Sequence, residues 1–106
     1  LLHCGDLKLD PASRIVWRDN QRVELTRKEF GILHYMMSRP GEVVSQEMLL
    51  EHVWNNEVDS FTNVVPVHIG SLRHKLGDCA RTPRYIATAI GQGYRLVPPD
   101  DIESNG

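Results

Sequence analysis

The stretch Asn63–Leu76, NVVPVHIGSLRHKL, constrains the fold of this chain more than any other. At 100° per residue, Val65, Ile69, Leu72 and Leu76 gather on one narrow stripe, the pattern of a helix that turns one side to a core. Opposite that stripe lie Asn63, Val67, Gly70 and His74, with Ser71 beside them and Arg73 and Lys75 on the flanks. A solvated helix face ordinarily carries Glu or Asp. This one is small, able to hydrogen-bond, edged with cations and without an acid, so it is expected to lie against something polar and negatively charged.

A chain of 106 residues, 41% hydrophobic and 25% charged, is of a size and composition to build one globular domain with a core. No apolar run approaches the roughly 18 residues that cross a bilayer, and no signal-peptide pattern opens the chain. Cys4 and Cys79 are too few and too far apart for a disulfide framework. The expectation is a cytoplasmic domain with reduced thiols, no cofactor and no membrane. The net charge of −2 weighs against a polyanionic partner, but its distribution reverses that. Residues 1–62 hold 7 Lys/Arg against 10 Asp/Glu, whereas residues 63–96 hold Arg73, Lys75, Arg81, Arg84 and Arg95 against Asp78 alone. Cations therefore gather in the helix and in the segment C-terminal to it.

Ahead of that helix, alternating runs separated by turns predict a small antiparallel sheet over residues 1–25. Its strands are read near Leu1–Cys4, at Asp6–Leu9, at Arg14–Arg18 and at Arg22–Leu25. Thr26-Arg27-Lys28-Glu29 is a capping box that opens a first helix, along which Phe30, Leu33, Met36 and Met37 recur at helical spacing until Pro40-Gly41. Val43-Val44 reads as a short extended piece. Ser45 caps a second helix bearing Leu49, Leu50, Val53 and Trp54. After a polar loop and the third helix, Gly77 supplies a C-terminal cap, and residues 84–97 read as a hairpin around Gly91-Gln92. Residues 98–106 are expected to form a tail. The order sheet, helix, helix, helix, hairpin is an α+β winged helix-turn-helix: an N-terminal antiparallel sheet over 1–25, a three-helix core over 26–77 and a wing over 84–97.

Several segments together resemble the OmpR/PhoB family, the winged-helix effector domains of bacterial two-component response regulators. They are Leu25–Phe30, Gly41–Ser45, Val53-Trp54, Asn63–Val65, Val67–Ile69, Leu72-Arg73 and Gly93–Leu96, in the family's own order and spread from about residue 5 to 97. The resemblance implies sequence-specific binding of double-stranded DNA, with the third helix in the major groove and the hairpin as wing. It implies a contact with RNA polymerase through the loop Asn55, Asn56, Glu57, Val58, Asp59, Ser60 and Phe61. It also implies a phosphorylatable receiver domain ahead of this one, absent from this chain, together with a cognate sensor kinase. Binding to tandem half-sites as a dimer is implied too, with a monomer when isolated. The sequence departs from the family pattern at Pro66, where Asp is common, at Gly70 and Ser71, where Arg is frequent, and at Ile90, where the hairpin usually carries Arg. Each change removes a charge, which predicts weak binding by the isolated domain or reliance on dimerisation.

Asn63, Val67, His68, Ser71 and His74 are the candidates for reading base edges: Asn can pair with adenine and an exposed Val can pack on a thymine methyl. Arg73, Lys75 and Arg95 are the candidates for phosphate, joined by the helix start near Thr62, by Trp54, and by Thr88 and Tyr94 in the hairpin. Each cation is alternatively a solvated surface charge, and Tyr94 and the Trp54 ring alternatively belong to the core. Pro66 predicts an altered or delayed first turn, because four residues into a helix it would remove a hydrogen bond. His68 and His74 are six apart, do not share a face and complete no metal spacing with Cys79. No paired carboxylates in a Gly-rich setting, nucleophile elbow or phosphate loop is present, so an enzyme is not expected. The competing reading is a winged-helix module that binds protein.

Overall fold

Four short strands open the chain: β1 (Leu2–Cys4), β2 (Leu7–Asp10), β3 (Ile15–Arg18) and β4 (Gln21–Val23). They form an antiparallel sheet in sequential order, with Leu2 opposite Leu9, Leu9 opposite Val16 and Val16 opposite Val23. That row is apolar, with Leu9 and Val16 buried in it, and Cys4 and Leu7, two residues along on the same face, are buried beside it. The next residue along each strand gives the opposite row, His3, Lys8, Trp17 and Arg22, on the outer face. The computed structural model describes residues 1–57, 63–79 and 81–97.

Helix α1 (Arg27–Met37) begins at the expected capping box. The Glu29 amide donates to Thr26 Oγ1 at 3.3 Å and the Thr26 amide donates to Glu29 Oε1 at 2.8 Å. α1 buries Ile32 as well as Phe30, Leu33, Met36 and Met37, a wider arc than the expected stripe. The reason is its position: it packs against β1, against both later helices and against the last strand. A helix touched on several sides hides more than one face.

Strand β5 (Val43–Val44) follows, then α2 (Gln46–Trp54), whose Ser45 hydroxyl accepts from the Met48 amide at 3.1 Å. Asn55 closes α2 in the left-handed region, φ 53°, a conformation Asn tolerates. Helix α3 spans Val64–Leu76 and buries Val65, Ile69, Leu72 and Leu76, the expected seam. Gly77 and Asp78 complete a Schellman cap, with the Gly77 amide on the His74 carbonyl at 3.1 Å and the Asp78 amide on the Arg73 carbonyl at 2.8 Å. Arg18 Nη1 reaches across from β3 to the Leu76 carbonyl at 2.7 Å, placing a cation at the negative end of the α3 dipole.

The wing is built from β6 (Ile86–Ala89) and β7 (Gly93–Leu96). It is not an isolated hairpin: β5 pairs with β7, giving a three-stranded sheet ordered β5-β7-β6. The two residues of Val43-Val44 thus tie the wing to the entrance of α2. Gly93 makes this possible. At φ 146° any Cβ would lie 2.1 Å from the Val44 carbonyl oxygen, so only glycine admits the approach.

Candidate nucleic-acid interface

Pro66 sits at the third position of α3, not the fourth or the first. The first amide to find an intrahelical partner is that of Val67, on the Asn63 carbonyl at 3.1 Å. Proline therefore falls on one of the amides that lack an intrahelical partner in any helix. The delayed start expected from Pro66 is present, by a single residue. Asn63 precedes the helix at φ −90°, ψ 28° without a side-chain cap, which leaves its amide group outside any capping role.

Away from the core seam, Asn63, Val67, Gly70 and His74 are all exposed. Val67 is 63% exposed, a large value for a branched apolar side chain. A Cβ placed on Gly70 would meet nothing within 4 Å. This face of α3 is a shallow polar surface with one apolar point.

The flanks of α3 behave differently. Ser71 donates its hydroxyl to Glu29 Oε2, and Lys75 Nζ lies 2.6 Å from Glu29 Oε1. Burial would raise the Glu29 carboxyl, but hydrogen bonds from Lys75, Ser71 and the Thr26 amide outweigh it and hold the group down at about 2. Ser71 and Lys75, expected at a base edge and a phosphate, are thus engaged in fastening α3 to α1. His68 is half-buried: its Nδ1 lies 2.7 Å from the Val64 carbonyl and its ring meets Trp54 edge-on at 5.1 Å. A carbonyl only accepts, so Nδ1 is the protonated nitrogen. Trp54 and Tyr94 are core residues, 5% and 8% exposed.

Arg73 joins α3 to the wing. Its Nε and Nη2 donate to the Ile86 carbonyl at 3.2 and 3.0 Å, Nη2 donates to Thr88 Oγ1 at 2.8 Å, and the guanidinium lies 5.8 Å from the Tyr94 ring centre. Three residues expected to touch a backbone, Arg73, Thr88 and Tyr94, are brought together with one another. The fork of a guanidinium makes the clamp specific to Arg. Arg95 is half-buried on β7 and is itself held in an interaction. Asn55, Asn56 and Glu57 are exposed, while Thr62, Val58, Asp59, Ser60 and Phe61 lie outside the described residues.

Glu29, Arg18 and Asp78 were not among the expected site residues, yet they set the geometry. Asp78 accepts the amides of Cys79, Arg84, Tyr85 and Ile86 at 2.7–3.2 Å and so leads the chain from α3 into β6. Its signal in the sequence is faint, a lone acid in a basic window just after Gly77. Gln46 and Glu47, at the start of α2, face Thr88, Ala89 and residues 91–94 of the wing across an open cleft of about 330 Å³. Among the described residues, no group of three His, Cys, Asp or Glu is placed to hold a metal. No helix among them is long and apolar enough to cross a membrane.

The family described as "Transcriptional regulatory protein, C terminal" matches residues 20–96. The chain is 46% identical over 96 residues to the transcriptional regulatory protein CutR of Streptomyces coelicolor, covering 91% of this chain and 42% of CutR. It is 40% identical over 96 residues to the phosphate regulon transcriptional regulatory protein PhoB of Rhizobium meliloti, with the same coverage of 91% and 42%. The chain thus spans less than half the length of these relatives. Among solved structures, the RstA DNA-binding domain of Klebsiella pneumoniae in complex with the RstA box superposes with a TM-score of 0.85 at 30% identity, covering 92% of this chain and 96% of that one. The DNA-binding domain of CpxR from E. coli gives 0.80 at 33% identity, covering 92% and 95%. The chain is a winged-helix domain of the transcriptional regulatory protein C-terminal family, of OmpR/PhoB type.

Proposed function

We propose that this domain binds double-stranded DNA sequence-specifically and regulates transcription as the effector part of a two-component response regulator. The observation that carries the reading is the face of α3 opposite its seam. Asn63, Val67, Gly70 and His74 stand exposed there, on the helix that Arg73 ties to the wing. A rigid helix with a small outward face is the shape that enters a major groove. RstA, which this chain matches over nearly its full length, was solved with its DNA box.

With Ser71 and Lys75 engaged by Glu29, base reading falls to Asn63, Val67 and His74, with His68 as a buttress that fixes the side of the helix next to Trp54. Val67 packs on a thymine methyl. Backbone grip falls to Thr88, Arg95 and the outer edge of Arg73, with the start of α3 near Thr62 adding amides. So few cations support a modest affinity and a shallow dependence on salt. Tandem half-sites and a dimer would supply the remainder, by making the second contact intramolecular. The loop from Asn55 to Phe61 is the surface offered to RNA polymerase, and a receiver domain answering to a sensor kinase completes the regulator in the cytoplasm.

Selection of bound sites from random duplex DNA, using a dimerised form at low salt, tests the proposal. Enrichment of a repeated half-site is expected, with preference relaxed at one thymine in Val67→Ala. No enrichment would overturn it in favour of a module that binds protein.

A further inference from the structure

A cleft of about 280 Å³ lies at the other end of α2 from the wing, lined by Arg14, Arg27, Lys28 and His52 together with Phe30 and Tyr35. Three of its described lining residues are Lys or Arg and a fourth is His52, and none of those described is Asp or Glu, in a chain whose net charge is −2. Like charges gathered without an acid repel one another and cost stability unless an anion relieves them. Arg27 and Lys28 are the first two residues of α1, where the helix dipole is already positive and acids are the usual occupants. The one acid of that turn, Glu29, points away into its contacts with Ser71 and Lys75.

The cations differ in their engagement. Lys28 Nζ donates to the Val53 carbonyl at 3.0 Å and lies 5.6 Å from the Trp54 ring centre, so it caps the end of α2. Arg14 is held at φ 60°, a left-handed conformation uncommon outside glycine, with its guanidinium 5.7 Å from the Phe30 ring centre and in no ion pair with a described residue. Arg27 is exposed, and its side chain makes no hydrogen bond or ion pair with a described residue. His52 is stacked on Tyr35 at 4.7 Å, and the Arg39 guanidinium lies 4.3 Å from the same ring. The result is a concave, aromatic-walled, cationic site with at least two guanidinium groups available for bidentate bonds.

We propose that this cleft binds a carboxylate side chain presented by an acidic segment of a partner protein. Its volume is below the ~300–1,000 Å³ of a small-molecule pocket, which suits one or two side chains. Aromatic walls beside the guanidinium groups suit the stem of a Glu or Asp flanked by an apolar residue. α2 is nine residues long, so the cleft and the wing stand roughly 13 Å apart along its axis. The cleft borders Asn55, the C-terminal cap of α2, and none of its described lining residues belongs to α3.

The test is a titration of the isotopically labelled domain, followed by the amide shifts of Gly31, Val53 and Asn55. The probes are a blocked hexapeptide of Glu, Asp and Phe, its Gln/Asn/Phe isostere, inorganic phosphate and a random-sequence DNA duplex. The acidic peptide is expected to shift these amides saturably and the isostere to leave them unmoved. Arg27→Gln, at an exposed first helical position, should weaken the peptide about tenfold, the worth of one charge-assisted hydrogen bond, with a melting temperature that does not fall, since a cation is removed from the positive end of α1. Arg14→Asn, which keeps the left-handed backbone, should do the same. Equal shifts with phosphate alone, the same amides moving with DNA instead of peptide, or no saturable shift would each overturn the proposal.

Discussion

Lys75 Nζ lies 2.6 Å from Oε1 of Glu29, a carboxylate that is 2% exposed in the first turn of α1. The helix proposed to read DNA is therefore bolted to the core helix by one of its own basic residues. The same carboxylate closes the capping box of α1 and accepts from Ser71. One buried anion thus sets the start of α1 and the seating of α3 together, which ties the outward face of α3 to the core rather than leaving it to a surface helix.

Acid should release that bolt. The Glu29 carboxyl is held at about 2 against an ordinary 4.5. A depressed folded-state value contributes stability that is fully present above about pH 4.5 and is lost as pH falls toward 2. The contribution is on the order of 3 kcal/mol, from ~1.4 kcal/mol per unit. Glu29→Gln should lower stability at pH 7 by about 2–3 kcal/mol, since Lys75 is left facing a neutral partner while remaining partly solvated. The variant's denaturation midpoint should change less than the parent's between pH 5 and pH 2. A parent and variant with parallel pH profiles would remove Glu29 from this role.

Arg73→Lys should loosen the wing while leaving α3 helical. A lysine ammonium cannot reproduce the fork that holds the Ile86 carbonyl and the Thr88 hydroxyl together. Amide exchange in β6 should accelerate, and DNA affinity should fall evenly across sequences. Thr88→Val removes a single bond of the clamp and should cost about 1 kcal/mol.

Two glycines should respond in opposite directions. Gly93→Ala forces a methyl against the Val44 carbonyl oxygen and should cost more than ~3 kcal/mol or detach β5 from the wing. Gly70→Ala meets open space on an exposed helical site and should raise stability by about 0.5–1 kcal/mol. If α3 lies in the major groove with its backbone close to the bases, that stabilised variant binds its operator more weakly. Thermal melts beside operator titrations separate the two effects.

Val67→Ala should leave the melting temperature within about 1 °C, because its side chain is 63% exposed. Its effect should appear only in sequence preference. A loss of general affinity instead would point to a role in folding or in a protein contact.

Pro66→Ala should change stability by less than about 1 kcal/mol. The proline occupies a position whose amide has no intrahelical partner, so no hydrogen bond is regained. Gains in helix propensity and losses from a freer unfolded chain nearly offset each other. A change much larger than this in equilibrium unfolding would mean that the proline shapes the start of α3 beyond its own residue.

The sequence by itself determined the features that depend on local spacing. The capping box at Thr26–Glu29, the Ser45 cap, the seam of Val65, Ile69, Leu72 and Leu76, the Gly77 stop and the hairpin all arise from periodicity and cap chemistry among residues a few positions apart. Tertiary structure alone decided which polar groups remain for a partner. The basic window of residues 63–96 looked like a cationic surface because its counter-charges lie far away in sequence: Lys75 meets Glu29, 46 residues earlier, and Arg84 meets Asp6, 78 residues earlier. The pairing of Val43-Val44 with β7 was hidden for the same reason, as was the use of Arg73 to hold the wing. A helical wheel reports which side of a residue faces the core, but not whether a neighbour brought in by the fold will satisfy its charge.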